Sequence, residues 1–196
     1  LDWHCRTARE VWKRYGHHRS FYGWYISEEV FGDLNRGTKT PEEIVAFFRG
    51  FGKLRDELDP TLPVMLAPNC FGVTSALGSW KLLARELDIL CPFGFNRMPE
   101  EDLAPEQAIA LMQSIADEGG AHLWLDMEIF LFKDDMALYP RPADEIFHEL
   151  ENCRNFEKVL CYQFPGLLNA PGSRLTPGGP ETVKLYCDYR RRIHAD

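Results

Sequence analysis

Five short apolar runs alternate with longer stretches of helical periodicity along this 196-residue chain, and this alternation constrains the fold more than any other feature. Apolar and aromatic runs bounded by turn residues predict strands, whereas apolar residues three and four positions apart predict helices. The predicted strands cover residues 21–27, 62–67, 88–91, 122–130 and 158–163. The predicted helices cover residues 3–15, 41–58, 77–87, 105–116, 142–153 and 181–193. Strands that alternate with helices indicate an α/β protein with a parallel sheet.

Two architectures satisfy this order, an open doubly wound sheet and a closed (β/α)8 barrel. A nucleotide-binding open sheet carries a glycine-rich phosphate loop after a strand, and none of the five predicted strands is followed by one. In a barrel, the reacting residues gather at the carboxyl ends of the strands. Polar residues occur at or just after four of the predicted ends, namely Glu29, Asn69, Glu128 and Gln163. The sequence therefore favours a (β/α)8 TIM barrel.

The chain is short for a complete barrel, which usually needs about 250 residues and eight strands. Five strands would form its C-terminal portion, about strands four to eight. We therefore expect residues 1–196 to form a single partial TIM-barrel domain whose N-terminal strands are missing. Because an unpaired strand edge promotes aggregation, we also expect the isolated segment to be poorly soluble.

The predicted strand over residues 122–130, strand seven on this count, carries the most informative side chains. Alternation along His122–Phe130 places Leu123, Leu125 and Met127 on one face and Trp124, Asp126 and Glu128 on the other. An unpaired buried carboxylate is costly or becomes protonated, so packing alone does not explain two acids on this face. The alternative to a functional role is that Glu128 pairs with a cation such as Arg97 or Lys133. Asp126, one step deeper, is predicted to orient other groups rather than to react.

Composition excludes several classes of partner. The formal net charge of −8 argues against a nucleic-acid surface, which needs clustered cations. No stretch approaches the roughly 18 apolar residues of a membrane span. The six cysteines are scattered and the histidines lie away from the strand ends, so the sequence predicts neither a metal site nor a cofactor. A metal held by Asp126 and Glu128 remains a lesser alternative, and the oligomeric state is left open.

Several segments together resemble a glycoside-hydrolase-like barrel family of unknown function, whose members are mostly bacterial and often exported. The matching segments are Gly23-Trp24-Tyr25-Ile26-Ser27-Glu28-Glu29, Asp88-Ile89-Leu90-Cys91-Pro92, Leu123–Phe130 and Tyr162-Gln163-Phe164. In this resemblance, Glu29 matches the acid after the G-W-Y motif and Glu128 matches the acid of L-W-x-x-x-E-x-F. The chain departs from the family at Phe93-Gly94, where the family tends to show Gln-Asp. The resemblance implies an extracellular or periplasmic location.

The chain also resembles a large group of retaining glycosidases, which carry the acid/base at the end of barrel strand four and the nucleophile at the end of strand seven. On the strand count used above, Glu29 and Glu128 match those two positions. These enzymes usually carry Asn before the acid/base, whereas Ser27 and Glu28 precede Glu29. The predicted function is hydrolysis of an unknown glycan, with Glu128 as nucleophile or base and Glu29 as general acid. Sugar contacts are predicted from Asp126, Asn69, Tyr25, Phe93, Phe130 and Gln163. The alternative is a non-catalytic carbohydrate-binding barrel.

Overall fold

The computed structural model describes residues 1–35, 38–132 and 137–194, with the side chain of Pro165 excepted. The helices are α1 (Asp2–Tyr15), α2 (Pro41–Leu58), α3 (Leu77–Ala84), α4 (Pro105–Gly119), α5 (Ala143–Asn152), α6 (Phe164–Leu167) and α7 (Pro180–Ile193). The strands are β1 (Trp24–Ile26), β2 (Val64–Leu66), β3 (Ile89–Leu90), β4 (His122–Glu128), β5 (Phe130–Phe132), β6 (Leu138–Pro140) and β7 (Lys158–Tyr162). Among the described residues, no helix is both long enough and apolar enough to cross a bilayer.

The main sheet has five strands in the order β1-β2-β3-β4-β7, and β5 and β6 form a separate two-stranded sheet. Parallel pairing joins β1 to β2, β2 to β3 and β3 to β4. One row across these strands contains Tyr25, Met65, Ile89 and His122. The prediction of a mixed α/β fold with a parallel sheet is confirmed, whereas the numbering of its strands as four to eight stays a prediction.

The chain forms two compact units, Leu1–Leu125 and Asp126–Asp196, and β4 runs from the first into the second. Whether residues 1–196 are one partial barrel domain stays a prediction. In the first unit, helices α2, α3 and α4 bury Phe48, Trp80 and Met112. The indole nitrogen of Trp80 donates a hydrogen bond to the carbonyl of Gly32 at 2.5 Å, so even this large buried ring has its polar atom satisfied.

The start of α2 follows directly from the local sequence. Thr40 accepts a hydrogen bond from the backbone of Glu43 at 3.2 Å, and the Glu43 carboxylate accepts one from the backbone of Thr40 at 2.9 Å. This reciprocal capping box satisfies two donors that the first turn would otherwise leave unpaired. Proline at the first helical position adds to the signal, because it has no amide hydrogen to satisfy. The predicted helix start at Pro41 is confirmed.

The second unit contains the end of β4, the β5–β6 hairpin, α5, β7 and α7. Two of its features differ from the sequence prediction. The predicted strand over 122–130 is two strands, because β4 ends at Glu128 and β5 begins at Phe130. The antiparallel hairpin that pairs Phe130 with Pro140 and Phe132 with Leu138 was not predicted. Ile129, between the two strands, donates its amide to Tyr162 and accepts a bond from Arg141, so its backbone serves two neighbours at once.

Candidate functional site

Asp126 and Glu128 occupy alternate positions at the end of β4, so their side chains leave the strand on the same face. The Glu128 residue is only 5% exposed, and Asp126 is half-buried. Burial, followed by the nearby charge of Glu128, raises the pKa of Asp126 from 3.8 to about 6. Two carboxyl groups that differ in burial and influence one another can divide the roles of proton carrier and anion between them.

Strand β7 carries Cys161, an exposed residue whose thiol interacts electrostatically with Asp126. Partial loss of hydration raises the pKa of this thiol to about 11, and the charges of Asp126 and Glu149 act in the same direction. A thiol with a raised pKa is protonated at neutral pH and is a poor nucleophile. Cys161 is therefore not a candidate nucleophile.

Arg141 contacts the backbone at the end of β4 through both its side chain and its amide. Its Nη1 donates to the backbone carbonyl of Glu128 at 2.9 Å, and its amide donates to the carbonyl of Ile129 at 3.0 Å. Nη1 also donates to Oε2 of Glu149 at 2.6 Å. The Arg141 side chain is 7% exposed, which is unusual for a guanidinium. Sequence reasoning missed this residue, although an arginine between Pro140 and Pro142 that follows an acidic strand is an available signal.

Two further predicted contact residues lie in the second unit. Phe130 is buried, with its ring centroid 5.3 Å from that of Phe132 and 6.1 Å from that of Tyr162. Gln163, half-buried, follows β7 directly. The hydrogen bond from the Ile129 amide to the Tyr162 carbonyl, 3.1 Å long, joins the residue after Glu128 to the residue before Gln163. The structure thus brings Asp126, Glu128, Phe130 and Gln163 to the adjoining ends of β4 and β7.

The remaining predicted residues belong to the first unit. Glu29 is exposed in the loop after β1, next to Glu28, whose carboxylate lies 3.2 Å from Nε2 of His4. Asn69 is 3% exposed, and its Oδ1 accepts a hydrogen bond from the amide of Phe71 at 2.8 Å. That bond stabilises the local turn, so the side-chain oxygen of Asn69 has a structural role. Phe93 pairs with Asn69 in an isolated parallel bridge.

Tyr25 lines a hollow in the first unit with a volume of about 340 Å³. Tyr22 and Trp124 share the hollow, and their ring centroids are 6.2 Å apart. Tyr22 is 62% exposed and Tyr25 is 54% exposed, so flat aromatic surface faces outward. Tyr25 therefore belongs to an aromatic hollow of the first unit.

The sequence suggested two cations, Arg97 and Lys133, as possible partners for the Glu128 carboxylate. The guanidinium of Arg97 lies 5.0 Å from the ring centroid of Phe71, within the first unit. Lys133 lies outside the described residues. In the part of the chain that the structure describes, no group of three or more histidine, cysteine, aspartate or glutamate side chains is arranged to hold a metal ion.

Comparison with known proteins identifies both a family and a similar fold. Residues 2–175 match the domain of unknown function DUF4434. The chain is also similar to the crystal structure of a "putative alpha-L-fucosidase" from Bacteroides thetaiotaomicron, with a TM-score of 0.71 and 21% sequence identity. The similarity covers 97% of this chain and 60% of that protein, so the chain spans less than two thirds of its length. No curated protein matches.

These matches bear on the fold predicted above. At 21% identity the similarity shows a shared fold and no more: a mixed α/β fold with a five-stranded parallel sheet that resembles part of a TIM barrel. The matched region contains β1 to β4, the hairpin, α5 and β7, and hence every candidate residue named here. By the extent of that match, the chain belongs to the DUF4434 family.

Proposed function

We propose that this protein is a glycoside hydrolase that uses two carboxyl groups. The observation that carries the proposal is Glu128, a buried carboxylate at the carboxyl end of a parallel strand, with Asp126 on the same face of that strand. Barrel enzymes have their reacting groups at the carboxyl ends of the strands. Support from comparison is limited to the fold and to the Bacteroides protein, whose description as an alpha-L-fucosidase suggests the class of reaction.

Glu128 is the proposed nucleophile or base, and Glu29 is the proposed general acid. The acid protonates the leaving glycosidic oxygen while the second carboxylate either attacks the anomeric carbon or removes a proton from water. Burial favours this role for Glu128, because few waters compete for a carboxylate that is 5% exposed. The exposed position of Glu29 suits a group that exchanges its proton with solvent between turnovers. Asp126, Phe130 and Gln163 are the proposed sugar contacts beside Glu128.

The experiment is hydrolysis of a panel of aryl glycosides that includes the α-L-fucoside. Glu128→Gln should abolish turnover, with an unchanged circular dichroism spectrum. Glu29→Gln should slow 4-nitrophenyl glycosides much more than 2,4-dinitrophenyl glycosides, because an acidic leaving group departs without a proton. Glu28→Gln is the matched control, since it alters the neighbouring exposed acid. Undiminished rates in Glu128→Gln on a substrate that the native chain hydrolyses would refute the assignment.

A second candidate function is carbohydrate binding without catalysis, which the hollow around Tyr25 favours. Exposed tyrosine and tryptophan rings can stack on the C–H faces of a sugar. Calorimetry with the same sugars should then show binding that Tyr25→Ala weakens and Tyr15→Ala leaves unchanged. Tyr15 is a suitable control because it is 52% exposed at the end of α1 and does not line the hollow. Binding with no hydrolysis of any substrate would support this function over the first.

Both functions take a carbohydrate as the partner, with no nucleic acid and no membrane surface. An extracellular or periplasmic location remains part of the proposal, because it depends on family resemblance alone.

A further inference from the structure

The end of β4 is fastened by three hydrogen bonds within two residues. Arg141 donates to the carbonyl of Glu128 at 2.9 Å and to the carbonyl of Ile129 at 3.0 Å. The amide of Ile129 donates to Tyr162 at 3.1 Å. A backbone held on both sides has little freedom to shift or twist. The Cα of Glu128, from which the carboxylate extends, is therefore fixed by Arg141 and β7 together.

Burial of the Arg141 guanidinium in this arrangement has a free-energy cost. A guanidinium that is 7% exposed loses most of its hydration, and the loss is offset only where charged and polar partners replace water. Glu149 supplies one partner at 2.6 Å from Nη1, and the carboxylate of Glu145 lies 3.7 Å from Nε. Even so, Nε is buried with no hydrogen-bond partner in the described structure. A methionine would fill the same space with no charge to bury, so filling space does not explain the arginine.

Positional accuracy is what a reacting carboxylate needs from its surroundings. Displacement of a catalytic group by about 1 Å lowers the rate by about 100-fold. Rigid placement depends on neighbours that hold the backbone and side chain of the reacting residue. Arg141 is well suited to this task because it contacts the backbone of Glu128 rather than competing for its carboxylate in the hydrogen bond described here.

We propose that Arg141 is the positioning residue for Glu128, held in place by Glu149, and that it acts through the backbone at the end of β4. This inference rests on the proposed function for its consequence in catalysis. Its structural part, that Arg141 determines where Glu128 lies relative to Asp126, stands independently. Arg141 would contact neither the sugar nor the reacting atoms.

The test uses two measurements on the full chain, the pKa of Asp126 by carbon-detected NMR titration and the kinetics on any aryl glycoside that the native chain hydrolyses. Arg141→Met should lower the pKa of Asp126, because release of β4 admits water and moves Glu128 away from Asp126. It should also lower kcat about 100-fold with little change in KM. Arg141→Lys should recover part of both effects, because an ammonium group can donate to the same carbonyl.

Two further variants complete the design. Arg192→Met is the matched control, because Arg192 pairs with the exposed acids Asp144 and Glu151 of the same unit, and neither readout should change. Glu149→Gln loosens the arginine without removing it and should shift both readouts in the same direction by less. It takes the place of Arg141→Met if that variant does not fold.

The outcomes separate this inference from the proposed function. An Asp126 pKa that is unchanged in Arg141→Met, or in Glu149→Gln where only that variant folds, overturns the positioning role even if glycosidase activity is present. Full kcat in those variants overturns it as well. A shifted Asp126 pKa in a chain that hydrolyses no glycoside supports the positioning of Glu128 and counts against the hydrolase.

Discussion

Replacement of Asp126 by asparagine should make the protein more stable at neutral pH. Burial and the charge of Glu128 raise the pKa of this carboxyl from 3.8 to about 6. At pH 7 the folded protein must therefore hold an anion that its surroundings disfavour. Asparagine keeps the shape of the protonated acid and carries no charge. The gain in stability should consequently appear at pH 7 and be small at pH 4.

The sign and size follow from proton linkage. Between pH 3.8 and about 6 the folded state binds more protons at Asp126 than the unfolded state does, so stability falls as pH rises through this window. A rise of roughly two pKa units corresponds to about 3 kcal/mol at most, since each unit is about 1.4 kcal/mol. Asp126 is only partly buried, so solvent screening reduces the expected difference to about 1–2 kcal/mol.

Urea denaturation of the native chain and Asp126→Asn at pH 4 and pH 7 measures this difference directly. Glu128→Gln should weaken the pH dependence without abolishing it, because burial is the larger cause of the raised pKa. Asp188→Asn is a control of opposite sign, since the hydrogen bond and charge of Lys184, together with Arg191, lower the pKa of Asp188. An equal effect of Asp126→Asn at both pH values would refute the reasoning, as would a loss of stability specific to pH 7.

Three other predictions concern the scaffold of the first unit. Gly119→Ala should destabilise the fold by about 1–3 kcal/mol, because the added Cβ would lie 2.5 Å from the Cβ of Ala84 and 2.7 Å from its carbonyl carbon. Gly78→Ala, with no heavy atom within 4 Å of the added Cβ, should instead stabilise α3 by about 0.5–1 kcal/mol, and thermal denaturation compares the two. Thr40→Ala should cost about 1 kcal/mol in urea denaturation by removing the capping bond to Glu43, whereas an unchanged midpoint would contradict the capping argument.

Local rules predicted the regular parts of the fold. The start of α2 at Pro41 depends on residues 40–43 alone, and α7 was expected over 181–193 and spans Pro180–Ile193. The short strands were located to within a few residues because their apolar runs are bounded by turn residues. Each of these features is encoded by neighbours in sequence, so no knowledge of the tertiary structure was needed.

The hairpin and the surroundings of the acids could not be predicted in the same way. Phe130–Phe132 begins one residue after β4, so one apolar run covers both strands and no turn residue separates them. Leu138–Pro140 is a short segment that ends in proline, which argues against a strand. Asp126 and Glu128 were identified from alternation, but the raised pKa of Asp126 depends on burial that only packing creates. Arg141 contacts Glu128 across 13 positions of sequence, and Glu149 across eight. Pairings at that separation leave no periodic signal.

The end of β4 combines two arrangements that each reduce stability. One is the carboxylate of Asp126, kept where burial disfavours its charge, and the other is the buried guanidinium of Arg141, whose Nε has no hydrogen-bond partner in the described structure. Single substitutions can readily relieve such costs. Two of them at one place are therefore characteristic of a functional site. Because the two costs meet at Glu128, they support the proposal that this residue takes part in the reaction. The same reasoning does not reach the exposed Glu29, whose role depends on kinetics alone.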